Sequence, residues 1–351
     1  MQMPTKRGTG FKPQVSPVFL FLGIALLGVF YAKWYPYYLK TVSVATSRSL
    51  GTSFVLGAHG HPPMVGIAAA LSFFEAYFKA IWIALVVGIL VGAGVQTLLP
   101  ASWLYQILGK AGAKSRIRAI AAAVPSMMCT CCSSPIVVGM KKAHLSDGAA
   151  LGYWLANPVL NPATIVFMGF VLGWNWALLR IVMGAILVLG ASWLGDRWIG
   201  TGKGNFQKAT VEPPRDLPPT FRGYAAAAGK LAITLVPEYA VIVMALGAFR
   251  AWLFPLVSPS VGHSLMLMVV LTIVGTLFVI PTAGEIPIVQ TLLNAGLGLG
   301  AAGALMITLP AISLPSMAMV SGQLGRQTVL QVAGLVALTG LITGAVALMW
   351  L

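Results

Sequence analysis

The three cysteines of this chain, Cys129, Cys131 and Cys132, fall within four consecutive positions of the run Cys129-Thr130-Cys131-Cys132-Ser133-Ser134-Pro135. Thiolates are soft ligands that select soft metals or thiophilic metalloids, whereas hard cations call for carboxylates and carbonyls. In a loop, three thiols so spaced converge on one pyramidal centre. Along a straight helix Cys129 and Cys132 share a face and Cys131 points elsewhere. The nearby proline and hydroxyl residues favour the loop, in which Cys129, Cys131 and Cys132 can meet at one centre. The C-x-C-C run lacks the paired spacing of a structural zinc site, and no histidine is placed to complete one. An odd, tightly grouped set of cysteines makes no disulfide framework, so free thiols are expected. The plain alternative is that these small thiols pack between membrane helices.

The run lies in an apolar segment. Residues 120–128 carry almost no polarity, and residues 135–140 are apolar up to Lys141 and Lys142. A thiol-rich break thus stands at membrane depth, where irregular backbone is tolerated only when buried in protein or lining a cavity. Ser134 followed by Pro135 reads as an N-cap and a first helical residue, so a half-helix is expected to start there. Its amino end faces the cysteines, and that positive dipole end favours thiolates and anions. Ser133 and Ser134 join the substrate-binding candidates on this ground.

The elements that must hold this break are membrane spans. Apolar residues make up 58% of the 351, charged residues only 8%, and the mean hydropathy is +0.89; soluble domains use roughly 25% charged residues. The fold class expected is an all-α polytopic membrane protein of about 8–10 membrane segments. The net charge of +15 does not indicate nucleic acid, because the basic residues sit in connections between apolar runs, where orientation in the bilayer explains them. Lys6, Arg7 and Lys12 precede a first apolar run over residues 18–38 with no small-residue cleavage site close behind. A retained first span with a cytoplasmic amino terminus is expected, in a multi-pass protein of the inner (plasma) membrane.

The chain divides into four parts. Residues 1–64 form the first span and an outer connection, in which His59 and His61 stand two apart without a third ligand. Residues 65–195 form a first repeat and 196–222 a cytoplasmic linker stiffened by Pro213, Pro214, Pro218 and Pro219. Residues 223–351 form a second repeat. Glu75 and Lys79 are four apart in the first long apolar helix, the spacing of a helical ion pair, with a place in the transport path as the alternative.

Within the first repeat, the basic residues before the thiol segment (Lys110, Lys114, Arg116, Arg118) and after it (Lys141, Lys142) both stay cytoplasmic if residues 119–140 form a re-entrant hairpin. The next span is interrupted at Asn157-Pro158-Val159-Leu160-Asn161-Pro162, where each Asn-Pro pair repeats the cap-then-proline pattern. The second half returns the same order. Ile286-Pro287 follows Ser134-Pro135 at an offset of 152 positions, Gly300-Ala301-Ala302 matches Gly148-Ala149-Ala150, and Leu309-Pro310 matches Asn157-Pro158. Counting spans puts residues 258–264 outside and Arg326 inside, which gives the halves opposite orientations. Inverted-topology repeats with broken or re-entrant helices place substrate sites near the midplane, where half-helix ends meet.

In the second repeat the counterpart of the thiol break is Pro281-Thr282-Ala283-Gly284-Glu285-Ile286-Pro287. An ionisable residue at this depth is a functional candidate by default. Glu285 is the first proton-coupling candidate; alternatively it caps the half-helix starting at Pro287 or pairs with a basic residue. Glu238, after Pro237 in a long apolar helix, is a weaker second. Thr282 belongs with Glu285 at the site. Asn157, Asn161 and Ser313 are caps first and path-lining residues second.

With the cysteine break, Gly148 and the double Asn-Pro break taken together, residues 65–350 resemble the family of predicted permeases that includes the ArsP organoarsenical efflux permeases. The resemblance implies an inner-membrane carrier, not an enzyme, that exports trivalent and mostly organic arsenicals under the proton gradient, with Cys129, Cys131 and Cys132 as substrate ligands. No resident cofactor is implied. The partners are the lipid bilayer and a small-molecule metalloid, with no nucleic acid and with a homo-oligomer left open. Two other readings stand beside it. One is a permease for a sulfur-containing or other small anion held by opposed half-helix ends. The other is a membrane thiol oxidoreductase using Cys131 and Cys132, against which stands the lack of a thioredoxin-like pattern or cofactor motif.

Overall fold

The computed structural model describes residues 15–51, 64–198, 220–253 and 264–351. The expectations for Lys6, Arg7, Lys12, His59, His61, the linker prolines and the outer connection at 258–263 lie outside the described residues.

The chain begins with α1 (Val15–Val29), a five-residue π-helical segment (Phe30–Trp34) and α2 (Tyr35–Ser47), one uninterrupted helical rod. The first half continues with α3 (Ile67–Thr97), the short α4 (Ala101–Leu104), α5 (Ala113–Ala123), α6 (Thr130–Lys142), α7 (Asp147–Val159), α8 (Pro162–Val171) and α9 (Trp174–Trp198). The second half contains α10 (Phe221–Ala248), the short α11 (Arg250–Leu253), α12 (Leu265–Leu277), α13 (Glu285–Asn294), α14 (Leu299–Ala311), α15 (Leu314–Leu324) and α16 (Arg326–Trp350). No strand occurs among the described residues, and the all-α polytopic class is borne out.

Among the described residues, five helical stretches are long and apolar enough to cross a bilayer: α3, α7 with α8, α9, α10 and α16. The pair α14 and α15, bent by 50° at its break, makes a sixth. The shorter α12 is apolar as well. Large apolar side chains point outward all round, among them Trp82, Leu90, Ile186, Val241, Ile273 and Leu338. A surface of this kind suits hydrocarbon, not water.

The order of elements recurs: α3, α5, α6, α7, α8 and α9 are followed in the second half by α10, α12, α13, α14, α15 and α16. Three helices pack against their own counterparts, α3 on α10, α7 on α14 and α9 on α16. The helices beginning at the breaks pair crosswise, α6 with α15 and α8 with α13. The four helix starts nearest the breaks are thereby brought together.

The seat of α6 on α3 is made by glycine. A Cβ at Gly88 would lie 2.2 Å from the Cys132 carbonyl oxygen, and one at Gly92 would lie 2.4 Å from that of Pro135. Small residues four apart let helix backbones approach this closely in a membrane.

Three local expectations change. The thiol segment is not a loop: α6 begins at Thr130, with Cys129 as N-cap in extended conformation and its sulfur accepting the Cys132 N–H. Ser134 is therefore inside the helix and caps nothing, because the Cys129 sulfur, five residues earlier, already serves as the acceptor that starts the helix. Asn157 and Pro158 likewise lie in the last turn of α7, whereas Asn161 and Pro162 start α8 as cap and first residue, as expected. Glu75 and Lys79 do pair, at 2.6 Å on an exposed face of α3.

Candidate functional site

The first break runs from the 3₁₀ turn Val124–Ser126 through Met127, whose φ of +51° is left-handed, to Cys129. Such a conformation costs energy for a non-glycine residue and persists only where the surroundings impose it. Here they do. The Trp34 indole donates to the Pro125 carbonyl at 2.8 Å. Asn157 Oδ1 accepts the Met128 N–H at 3.3 Å and the Ser126 hydroxyl, while its Nδ2 donates to the Tyr153 carbonyl at 2.9 Å. Asn157 is thus a brace for the thiol segment, its amide turned to protein on both sides.

All three cysteines are buried and free of disulfides. The helical start decides how they lie. Cys129 and Cys132, one turn apart, have their sulfurs in contact. Cys131 points to another side, 3.5 Å from Ser313 Oγ, which is also 3.4 Å from Thr130 Oγ1. The expected convergence of three thiols on one centre is therefore replaced by a pair and a separate third. Among the described residues no three His, Cys, Asp or Glu side chains are arranged to hold a metal ion. Ser133 and Ser134 are fully buried and donate to the Thr130 carbonyl at 3.1 and 2.7 Å, back into their own helix.

The second break, residues 278–284, contains its own left-handed residue, Ala283 with φ +67°. The Tyr77 hydroxyl donates to the Ile280 carbonyl at 3.2 Å. Lys33, buried in the π-helical segment, donates to the Thr282 hydroxyl at 3.3 Å and the Tyr37 hydroxyl at 3.5 Å. Single π turns inside α-helices concentrate at functional sites, since the extra residue re-aims a side chain.

Glu285 opens α13, and Arg180 of α9 meets it. Arg180 is fully buried, its Nη1 bound to Glu285 Oε1, its Nε donating to the Val159 carbonyl at 3.0 Å and its Nη2 to that of Pro158 at 2.8 Å. The reason is local. In an unbroken helix the Pro158 carbonyl would accept the N–H of residue 162, but Pro162 has none. The Arg180 guanidinium supplies the missing donors at the end of α7 and carries Glu285 on its remaining edge. Of the two alternatives weighed for Glu285, pairing with a basic residue is what occurs. Its second oxygen, Oε2, is buried without a partner.

A small cavity of about 10 Å³ lies where the breaks meet, walled by Cys129, Thr130, Thr164, Thr282 and Glu285 and by Pro158 and Pro310 of the two broken helices. The structure thus gathers Cys129, Thr282 and Glu285 on the wall, with Cys132, Cys131 and Ser313 directly behind. Asn161 caps α8 through Thr164 N at 3.2 Å and leaves its buried Nδ2 unbonded. Ser133, Ser134 and Asn157 serve the scaffold. Glu238 lies on the exposed face of α10 and does not reach the cavity, because the apolar alternate face of that helix is the one turned inward. Sequence reading missed Lys33 and Arg180. The signal was present in both, a lone cation inside an apolar run.

The ArsP_1 family, described as predicted permease, matches residues 66–349. A protein of Escherichia coli (strain K12) named UPF0718 protein YraQ is 40% identical over 331 residues, 94% of each chain. UPF0718 protein MJ0584 of Methanocaldococcus jannaschii is 23% identical over 334 residues, 76% of this chain and 91% of its own. No solved structure matches the chain. Matched by the family over most of its length, and built of membrane-capable helices, the chain belongs to this family of predicted permeases.

Proposed function

We propose that this membrane permease exports thiol-reactive metalloid compounds, trivalent organoarsenicals foremost, through the cavity between the helix breaks. The observation that carries the reading is the pair of buried, unbridged thiols Cys129 and Cys132 in contact at the start of α6, with Cys129 on the cavity wall. A trivalent arsenic with one organic substituent has two exchangeable hydroxyls: two thiols replace them, forming two As–S bonds and releasing two waters. A pair suits that valence, and soft sulfur suits that element. Cys131 then acts as a neighbour that meets Ser313, not as a third ligand.

The two halves are inserted in opposite senses, a reading supported by the recurring element order and the crosswise pairing of α6 with α15 and α8 with α13. The protein resides in the inner membrane with its amino terminus inside, and export is coupled to protons. Glu285 Oε2 is the atom of the site open to a proton, since Oε1 is held by Arg180.

The test uses inverted vesicles from arsenic-sensitive cells and follows methylarsenite uptake. Uptake driven by an imposed proton gradient, abolished in Cys129→Ser and Cys132→Ser and retained in Cys131→Ser, is the expected result. Uptake that survives both Cys129→Ser and Cys132→Ser overturns thiol ligation. Uptake of a sulfur-containing anion in place of the arsenical overturns the substrate.

A further inference from the structure

We propose that Cys129 and Cys132 are a redox-switchable pair, closing to a disulfide when hydrogen peroxide reaches the cavity and thereby withdrawing both thiols from the transport site. The consequence for transport rests on the thiol-site reading, since the same two sulfurs serve there, whereas the bridge itself needs no metalloid.

The run Cys129-Thr130-Cys131-Cys132 has the Cys-x-x-Cys spacing, and the start of α6 gives it a geometry that can close. Inside a helix, residues three apart hold their Cβ atoms about 5–6 Å apart. A disulfide requires about 3.5–4.5 Å. Cys129 is not inside the helix. As N-cap it has φ −75° and ψ 166°, an extended conformation that folds its side chain back over the first turn. There its sulfur accepts the Cys132 N–H at 3.4 Å and touches the Cys132 sulfur. Both ends of the pair are fixed. Asn157 Oδ1 holds the Met128 N–H beside Cys129, and the Cys132 carbonyl lies so close to Gly88 of α3 that no Cβ fits between them. With the sulfurs already in contact, closure needs no displacement of α6. The adjacent thiols Cys131 and Cys132 do not share this property, because consecutive helical side chains diverge by about 100°. Cys131 accordingly turns to Ser313, at 3.5 Å.

The cavity selects the oxidant and the order of events. Cys129 walls it, and Cys132 is fully buried behind. At about 10 Å³ the space is close to what a single water requires, so hydrogen peroxide, little larger than water, suits it and a peptide disulfide such as oxidised glutathione does not. The Cys129 sulfur attacks one peroxide oxygen and the O–O bond breaks, leaving a sulfenic acid on Cys129 and releasing one water that carries the thiol proton. The Cys132 sulfur then displaces the hydroxyl from Cys129: the S–S bond forms, the S–O bond breaks, and the second thiol proton leaves with the hydroxyl as water. The two sulfurs together lose two electrons, and the peroxide gains them as it becomes two waters. Capture by the touching Cys132 also stops Cys129 short of the irreversible sulfinic acid. Once bridged, neither sulfur is free to bind arsenic.

The test uses reduced wild-type protein reconstituted in vesicles. After treatment with hydrogen peroxide it is denatured in N-ethylmaleimide to tag free thiols, reduced with dithiothreitol and tagged again with iodoacetamide, and peptide mass spectrometry reads the tag at each cysteine. The expected result is the second tag on Cys129 and Cys132 and the first on Cys131. Without peroxide, or with oxidised glutathione in its place, the first tag is expected on all three. Cys132→Ser is expected to lose the reversible protection of Cys129 and to accumulate sulfinic acid there. The first tag on all three cysteines after peroxide, or the second tag on Cys131, overturns the proposal, and wild type alone gives that answer. In the same vesicles the bridge is expected to abolish methylarsenite uptake, with recovery after dithiothreitol; uptake undiminished in fully bridged protein overturns the switch. A bridge formed in a protein that takes up no methylarsenite before oxidation counts against the organoarsenical reading alone, and uptake without any bridge counts against the disulfide alone.

Discussion

The Arg180–Glu285 pair is the contact on which the site's geometry most depends, and its removal has a calculable order of effect. Both side chains are essentially excluded from solvent, at 0% and 1% exposure. Glu285→Gln keeps an oxygen for Arg180 Nη1 but removes the negative charge, and breaking a buried ion pair from one side costs about 3–5 kcal/mol. Arg180→Met does more, because it strands the carboxylate and also the carbonyls of Pro158 and Val159, which Pro162 and the break leave without helical donors. Each buried acceptor so orphaned adds about 1–3 kcal/mol. Against a total stability of about 5–15 kcal/mol, Arg180→Met is expected not to accumulate as folded protein. The double variant Arg180→Met, Glu285→Leu removes both charges and restores part of the loss, leaving the two carbonyls as the residual defect. Size-exclusion profiles of detergent-solubilised fusion proteins after graded heating give the ranking. The expected order is wild type above Glu285→Gln, then the double variant, then Arg180→Met. A double variant no more stable than Arg180→Met, or a Glu285→Gln protein indistinguishable from wild type, would refute the clamp.

Other expectations follow from single contacts. Gly92→Ala forces a Cβ to within 2.4 Å of the Pro135 carbonyl oxygen and must displace α6; a loss of about 1–3 kcal/mol, as for an overpacked core, is expected in the same heating assay, with Gly190→Ala, where a Cβ meets open space, as the silent control. Asn157→Ala releases the buried Met128 N–H, costing about 1–3 kcal/mol, while the Ser126 hydroxyl keeps the Ala123 carbonyl as acceptor, and the loosened break is expected to label faster at Cys129 with maleimide. Glu75→Ala disrupts an exposed helical pair worth at most about 0.5 kcal/mol, so its thermal profile is expected to match wild type.

How the sequence relates to the structure differs from residue to residue. Asn161-Pro162 and Ser313 were legible as helix starts because a side-chain acceptor followed by proline acts through its own backbone, and both start helices here. Ser134-Pro135 carries the same local pattern and fails. Proline restricts the backbone without deciding which upstream group caps the turn, and Cys129 takes that role at the packed α3–α6 contact. Asn157 could be marked as important but not as a brace, since its partners at Ser126 and Met128 become neighbours only through the fold.

The sequence by itself determined the membrane class, the placement of the breaks, the grouping of soft thiols and the recurrence of the two halves. These are properties of hydropathy, of proline and of spacing, all of which act over a turn or two of chain. Only the tertiary structure decided that the thiols stand as a pair and a third, that Glu285 answers to Arg180 across 105 residues, and that Lys33 reaches Thr282 across 249. Charges buried at membrane depth must find partners wherever the chain can bring them, and sequence distance places no limit on where that is.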